Sequence, residues 1–301
     1  MSAARAAGVL ALLCAAGCTH HIAPVDLPAL APPDPARAGM VDATWIEFAT
    51  GTMPGRLAVA RGHAPAHVPG TMSGVLLRHG ARTLLVDGGH STAFPERKAA
   101  SHGMQRLLLA VASRGWTRVG HPADLVVPPD AALVTHAHYD HLGGLLDIPG
   151  MTVWAPAGEH LAAMPGEDAL AASRMSPIPF EARPFLIWPV RWEPFGDESV
   201  VVVPMPGHTA GSVGVYVAPA AGRPVLLVGD TVWLREGIDA RQPKSWLASA
   251  FDADDDALDA HIAALHALGT RMPELRIVPA HDRRAWVEVF GAPAQATPPE
   301  R

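Results

Sequence analysis

The chain has 301 residues, 49% of them hydrophobic and 17% charged, with a formal net charge of -6. That length supports a sizeable buried core, and the lack of a basic excess argues against nucleic-acid phosphate as a partner, because such binding leans on clustered Lys and Arg. Cysteine occurs only at Cys14 and Cys18, so the body of the chain offers no disulfide and no thiolate, and any metal must be held by His, Asp or Glu.

Residues 1–17 combine a basic start at Arg5, an apolar run from Ala6 to Leu13 and the small residues Ala15, Ala16 and Gly17 ahead of Cys18. This reads as an export signal, too short to span a bilayer. It resembles a bacterial lipoprotein signal, in which cleavage precedes a cysteine that then carries the lipid, here Cys18. The position three before that cysteine is usually Leu and here is Ala15, so ordinary secretory cleavage between Ala15 and Cys18 stays open. The resemblance implies an exported protein facing the periplasm or cell exterior, touching membrane only through a lipid on Cys18. Residues 18–42 carry Pro24, Pro28, Pro32, Pro33 and Pro35 with few large apolar groups, which predicts an extended tether.

Short apolar runs then follow one another: Arg56 to Ala60, Gly74 to Arg78, Thr83 to Val86, Ala131 to Thr135, Phe185 to Trp188, Val200 to Val203, Ser212 to Val217, Pro224 to Val228 and Leu275 to Val278. Rich in Val and Leu and bounded by Gly, Pro or Asp, they predict strands. Helices are predicted over Met104 to Ser113 and Asp254 to Leu268. In the second, Leu258, Ile262, Leu265 and Leu268 recur at helical spacing, acids crowd the first turn, and Gly269 follows as a stop. Its His261 and His266 lie off that stripe and read as solvated imidazoles. The pattern predicts a single α/β domain over 43–290, two packed sheets flanked by helices, with a flexible tail over 291–301.

Chemistry concentrates in one hexapeptide. His136, His138, Asp140 and His141 fall within HAHYDH, directly after an apolar run, and supply more donors than one catalytic ion normally takes from a protein. Three further donors stand just beyond strand-like runs: His208 in MPGHTAGS, Asp230 in LLVGDT and His281 in VPAHD. Strand ends are where rigid elements hand side chains to a shared site. Five His and two Asp divide naturally between two ions with one shared carboxylate, leaving room for a water that the pair would acidify. Zinc is the expected metal, although Fe, Mn and Co accept the same donors.

The order HxHxDH, a lone His in a GHT turn, Asp and a final His resembles the metallo-β-lactamase superfamily, over about residues 43–290. The resemblance implies an αββα sandwich of two mixed sheets with the metals at one edge. It implies that His136, His138 and His208 hold the first ion, that Asp140, His141 and His281 hold the second, and that Asp230 bridges. Asp87, in LLVDGG, matches the family's early Asp-Gly motif and is expected to support the metal loop without being a ligand. Asp140 is the candidate catalytic proton carrier. His63, His67, His79, His90 and His102 read as ordinary surface or packing residues, His90 being the one nearest the Asp87 turn.

Asp230 and the missing cysteines argue against true β-lactamases, while the His281–Asp282 ending matches acyl-homoserine lactone hydrolases. Those enzymes usually place a Tyr near the bridging Asp, where this chain has Thr231, Val232 and Trp233. The segment from Thr231 to Phe251, with Trp233, Leu234, Trp246 and Leu247, could wall an apolar acyl pocket, or its Trp residues could be core packing. The expected function is hydrolysis of a small-molecule lactone or carboxylic ester, with a glyoxalase II-like thioesterase, a phosphodiesterase and a non-catalytic metal-binding protein as alternatives.

Overall fold

A computed structural model of the chain describes residues 21–157, 159, 173–250 and 252–294. The expected export signal, with Cys14 and Cys18, lies outside the described residues. Among them, no helix is long and apolar enough to cross a membrane.

Two mixed sheets carry the fold. The first holds β1 (Asp42–Pro54), β2 (His67–His79), β3 (Arg82–Val86), β4 (Trp116–Arg118), β5 (Ala131–Leu133), β6 (Val153–Ala155) and β7 (Met175–Pro177), in the order β4-β1-β2-β3-β5-β6-β7. Its first half is antiparallel and its second half, from β3 through β7, parallel. The second sheet holds β8 (Val200–Pro204), β9 (Val213–Val217), β10 (Val225–Leu227) and β11 (Arg276–Val278), in the order β11-β10-β9-β8, with only β10 and β11 parallel.

The two-residue period of a strand explains how the layers separate. In β8, Val200 and Val202 face the core between the sheets, while Val201 and Val203 face outward toward Ile262, Leu265 and Leu268 of the helix Asp255–Arg271. In β3, Leu84 and Val86 point inward and Leu85 points out toward Leu142 and Leu145 of the helix Tyr139–Leu146. Each strand is apolar on both faces because each sheet is covered on both, which yields the expected αββα sandwich.

Several expectations need correction. Arg56 to Ala60 is not a strand: Gly55–Ala58 is a short helix and Ala60–Gly62 a 3₁₀ turn, which reverse the chain between the antiparallel β1 and β2. A short apolar run fits strand or helix equally, and here connectivity decides. Phe185 to Trp188 closes on itself as a turn through a Phe185–Trp188 bridge, with Leu186 at a φ of 48°, and packs on the outer face of the second sheet. Gly269 does not stop its helix, which runs on to Arg271; Ile277 would stand 3.4 Å from a β-carbon at that position.

Both flanks of the domain are docked. Residues 21–41 carry little regular structure, with a turn at Asp34–Ala38, and are not a free tether: Ile22 is buried in the outer core, Ala31 bridges to Leu186, and Arg37 pairs with Glu193 and Glu198. At the other end the helix Arg283–Phe290 is followed by Ala294, whose amide donates to Trp45 O at 2.9 Å, so 291–294 is not a loose tail. His261 and His266 are half-buried rather than solvated, and His266 Nδ1 lies 3.0 Å from Ile238 O.

Candidate metal centre

The C-terminal ends of β5, β8, β10 and β11 deliver the seven donors to one edge of the sandwich. After β5 the chain runs through Val134 and Thr135 to His136, and His138 is the N-cap from which the helix Tyr139–Leu146 carries Asp140 and His141. His208 sits in the turn after β8, where Gly207 has a φ of 141° and a β-carbon would stand 2.8 Å from Leu258 Cγ. Gly229, at a φ of 51°, turns β10 toward Asp230. His281 follows β11.

All seven side chains converge, in two groups. His138 Nδ1 lies 3.0 Å from His136 Nε2 and 2.9 Å from His208 Nε2. His281 Nε2 lies 3.6 Å from Asp140 Oδ2 and, with His141 and Asp140, forms the second group. Asp230 stands between them: Oδ1 is 3.2 Å from His281 Nε2 and 3.4 Å from His141 Nε2, whereas Oδ2 is 3.6 Å from His208 Nε2.

These residues fit divalent cations. Tetrahedral ligands at zinc-like bond lengths stand about 3.4 Å apart, close to the spacings within each group. Three imidazole nitrogens around one point cannot all satisfy each other as hydrogen-bond partners, because His138 Nδ1 carries at most one proton to donate. His141 Nε2 and Asp230 Oδ1 are buried and meet each other only in a long 3.4 Å contact without hydrogen-bond geometry, and buried polar atoms so poorly satisfied are costly unless something else binds them. A His/Asp cluster suited to a pair of divalent ions is the result.

The far side of each ring is fixed. His141 Nδ1 is 2.9 Å from Asp87 Oδ2, and Asp87 also accepts from the Thr135 amide at 2.7 Å and the Thr135 hydroxyl at 2.9 Å. Asp87, at a φ of 59°, thus shapes its own turn and ties it to Thr135 and His141. His281 Nδ1 donates to Thr71 O at 2.9 Å and His208 Nδ1 to Asp252 Oδ1 at 2.6 Å. Both leave Nε2 free as a lone-pair donor.

Electrostatics divide the site. Burial, reinforced by neighbouring imidazoles, holds His136 well below the usual imidazole range, and burial with the Lys244 charge does the same to His208. At His141 and His281 burial acts in the same direction, but Asp87 and Asp230 at the first and Asp230 at the second outweigh it and raise both. Asp230 is held well below the carboxylate range because His281 and His141 overcome the effect of burial.

Other expectations fare differently. His90 clusters with Phe94 and Tyr139, at ring-centroid distances of 4.3 and 5.3 Å, those two rings lying 5.2 Å from each other, and burial pushes its imidazole down to about 4. Asp282 accepts from the Arg235 and Arg284 amides and caps the last helix. In the segment after Asp230, Leu234 is buried beside Met53, Val59 and Val68, while Trp246 and Leu247 are about half exposed, at 53% and 49%. Trp233 instead donates its Nε1–H to Asp230 Oδ2 at 2.8 Å. Phe251 lies outside the described residues.

Sequence reasoning missed Lys244, Asp252 and Glu159. Lys244 Nζ donates to Asp252 Oδ1 at 2.6 Å and to Asp230 O at 2.9 Å. Glu159 accepts from the Ala137 amide and the Thr209 hydroxyl, both at 3.0 Å, so it ties together the two loops that carry the first group. The acids around Asp252 looked like complements to a helix dipole, and nothing local marks a lone Lys or Glu as the partner of a distant loop.

The family model described as the metallo-beta-lactamase superfamily matches residues 73–281. Among curated proteins, the acyl-coenzyme A thioesterase MBLAC2 of Gallus gallus is 30% identical over 141 residues, 39% of this chain and 49% of that protein. The hydroxyacylglutathione hydrolase of Photorhabdus laumondii subsp. laumondii is 30% identical over 133 residues, 43% of this chain and 39% of that protein. The match therefore spans half or less of the length of either relative. Among solved structures, a variant of AiiA from B. thuringiensis with N-decanoyl-L-homoserine bound at the active site has a TM-score of 0.61 at 15% identity, covering 84% of this chain and 99% of that one. At that identity the likeness is one of fold.

Proposed function

The chain belongs to the metallo-β-lactamase superfamily, and from that premise we propose that it is a metal-dependent hydrolase of small lactones or carboxylic esters. One observation carries the reading: the two oxygens of Asp230 face different groups, Oδ1 toward His141 and His281 and Oδ2 toward His208. In this reading His136, His138 and His208 hold one ion, Asp140, His141 and His281 the other, and Asp230 joins them. Zinc suits neutral imidazoles with two carboxylates.

Two divalent ions held by these residues would supply Lewis acidity, lowering the pKa of a water and polarising an acyl oxygen. The chain's own residues do the rest. Asp230 fixes the separation of the two groups, and Asp87, Asp252 and Thr71 hold the imidazole rings to one orientation. Asp140, half-buried at the mouth of the second group, takes the proton of the attacking water and returns it to the leaving oxygen.

The lactone choice is supported by the HxHxDH, bridging-Asp pattern and by a fold shared with a protein that binds N-decanoyl-L-homoserine. A thioester is the second reading, favoured by the identity to an acyl-coenzyme A thioesterase. A hydrolysis panel of lactones, aryl esters, thioesters and phosphodiesters, run beside metal analysis, decides between them. Lactone or ester turnover that is lost together with bound metal in His138→Ala is the expected result. Phosphodiester turnover without lactone or ester turnover refutes the substrate, and activity in a metal-free preparation refutes the mechanism. The N-terminal segment supports export and lipid attachment at Cys18; Cys18→Ser should then release the protein from the membrane fraction, and an unchanged distribution would count against it.

A further inference from the structure

Lys244 and Asp252 are both almost completely enclosed, each side chain 1% exposed, and their charged atoms lie 2.6 Å apart. Burying such a pair costs several kcal/mol per ion in desolvation, at order of magnitude, and apolar residues of similar volume often stabilise as well or better. Stability alone is therefore a weak reason for the pair, and its contacts offer another. Asp252 Oδ1 accepts from Lys244 Nζ and also from His208 Nδ1, which fixes the proton of His208 on Nδ1 and turns Nε2 toward His138 and Asp230. Lys244 Nζ also donates to the backbone carbonyl of Asp230 and stands 5.5 Å from the ring of Trp233, whose indole N–H holds Asp230 Oδ2.

These contacts are one-sided. His141 is oriented by Asp87 and His281 by Thr71 O, neither of which is a partner of Lys244 or Asp252. We infer that Lys244 and Asp252 are a positioning pair acting chiefly on the ion held by His136, His138 and His208: they set His208 directly and reach the second ion only through the backbone carbonyl of the shared Asp230. The inference rests on the proposed two-ion reading of the cluster. Lys244 and Asp252 then brace one metal position, with the exposed Trp246 and Leu247 lying between them in sequence.

The test is a competitive chelator titration of the purified protein with Zn(II), accompanied by the visible absorption of the Co(II)-substituted form. His208→Ala and His281→Ala, each deleting a donor from one group, identify which step belongs to which ion. Asp252→Asn and Lys244→Met should weaken the His208 step about 10- to 100-fold and change its Co(II) spectrum, with a much smaller effect on the His281 step, which they reach only through Asp230. The double variant Lys244→Met/Asp252→Leu removes both charges together, so it should recover thermal stability in the metal-free state yet keep the weakened His208 step. Wild-type affinity for both steps in these variants overturns the inference, as does equal weakening of both steps or recovery of the His208 step in the double variant. If the unaltered protein takes up no ions, the two-ion reading fails first and this inference falls with it.

Discussion

The indole N–H of Trp233 and the Oδ2 oxygen of Asp230 are 2.8 Å apart, and that oxygen is the one facing His208. On the proposed two-ion reading, in which Asp230 joins the two positions, this hydrogen bond fixes which lone pairs remain for the ions. Trp233→Phe keeps an aromatic ring against Lys244 but removes the donor. We expect metal affinity to fall by about tenfold or more, with kcat following it. Were Trp233 simply a wall for the acyl group, metal uptake would be unchanged and only KM would vary with chain length, which steady-state kinetics and metal analysis together would show.

Asp87 joins the turn after β3 to the loop after β5, through both donors of Thr135 and through His141. Asp87→Asn leaves a side chain of the same size but removes the negative charge that holds His141. Affinity for the ion at Asp140, His141 and His281 should drop about 10- to 100-fold, while the ion on the His208 side is retained. Stoichiometry measured after dialysis against a weak chelator checks this; loss of both ions together would indicate that Asp87 matters for folding and not for one position.

The two groups of histidines should also part company on acidification. Burial keeps His136 and His208 unprotonated, whereas Asp87 and Asp230 raise His141, and Asp230 raises His281. An ion must displace the proton from a raised imidazole, so protons compete best at His141 and His281 as pH falls. The ion at that position should therefore leave at the higher pH. In the metal-free protein the sign runs the other way for stability: protonated His141 and His281 pair with carboxylates, a contribution complete below the ordinary imidazole value and lost as pH rises through the raised one. Zinc stoichiometry followed downward from neutral pH, and unfolding of chelated protein followed upward, test the two halves separately.

How far the residues alone could carry this reading depends on distance along the chain. HAHYDH is evident because its four donors are nearly consecutive, and His208, Asp230 and His281 because each follows an apolar strand. The strand pattern points to two packed sheets flanked by helices, while the αββα sandwich itself is what the family resemblance implies. β1 escaped notice because Thr, Glu and Gly interrupt its apolar residues, and only pairing with β2 on one side and β4 on the other defines it. Asp252 meets His208 across 44 residues and Glu159 meets Thr209 across 50, contacts set by the packing of loops and not by any local period. In the Pro-rich run after residue 20, composition gave no sign that Ile22 would find a place in the outer core.

Asp147 offers a test of the fold away from the metal positions. It accepts from the hydroxyls of Ser91 and Thr92, each at 2.8 Å, and lies 3.0 Å from His121 Nε2, so it pins the loop after Asp87 to the end of the helix Tyr139–Leu146. Burial alone would raise its carboxyl, but His121 and the donors from Thr92 and Ser91 outweigh that and hold it below the usual carboxylate range. A depressed carboxyl stabilises fully above its unfolded value, about 3.9, and the contribution is lost as pH falls through the lower folded value. Asp147→Asn should therefore cost about 1 kcal/mol at neutral pH, a figure held down by the solvent exposure of Thr92. The difference from wild type should shrink as the medium is acidified below the ordinary carboxylate range. Urea unfolding at neutral and acid pH measures it, and a difference that stayed constant with pH would mean that shape and not charge is what Asp147 supplies.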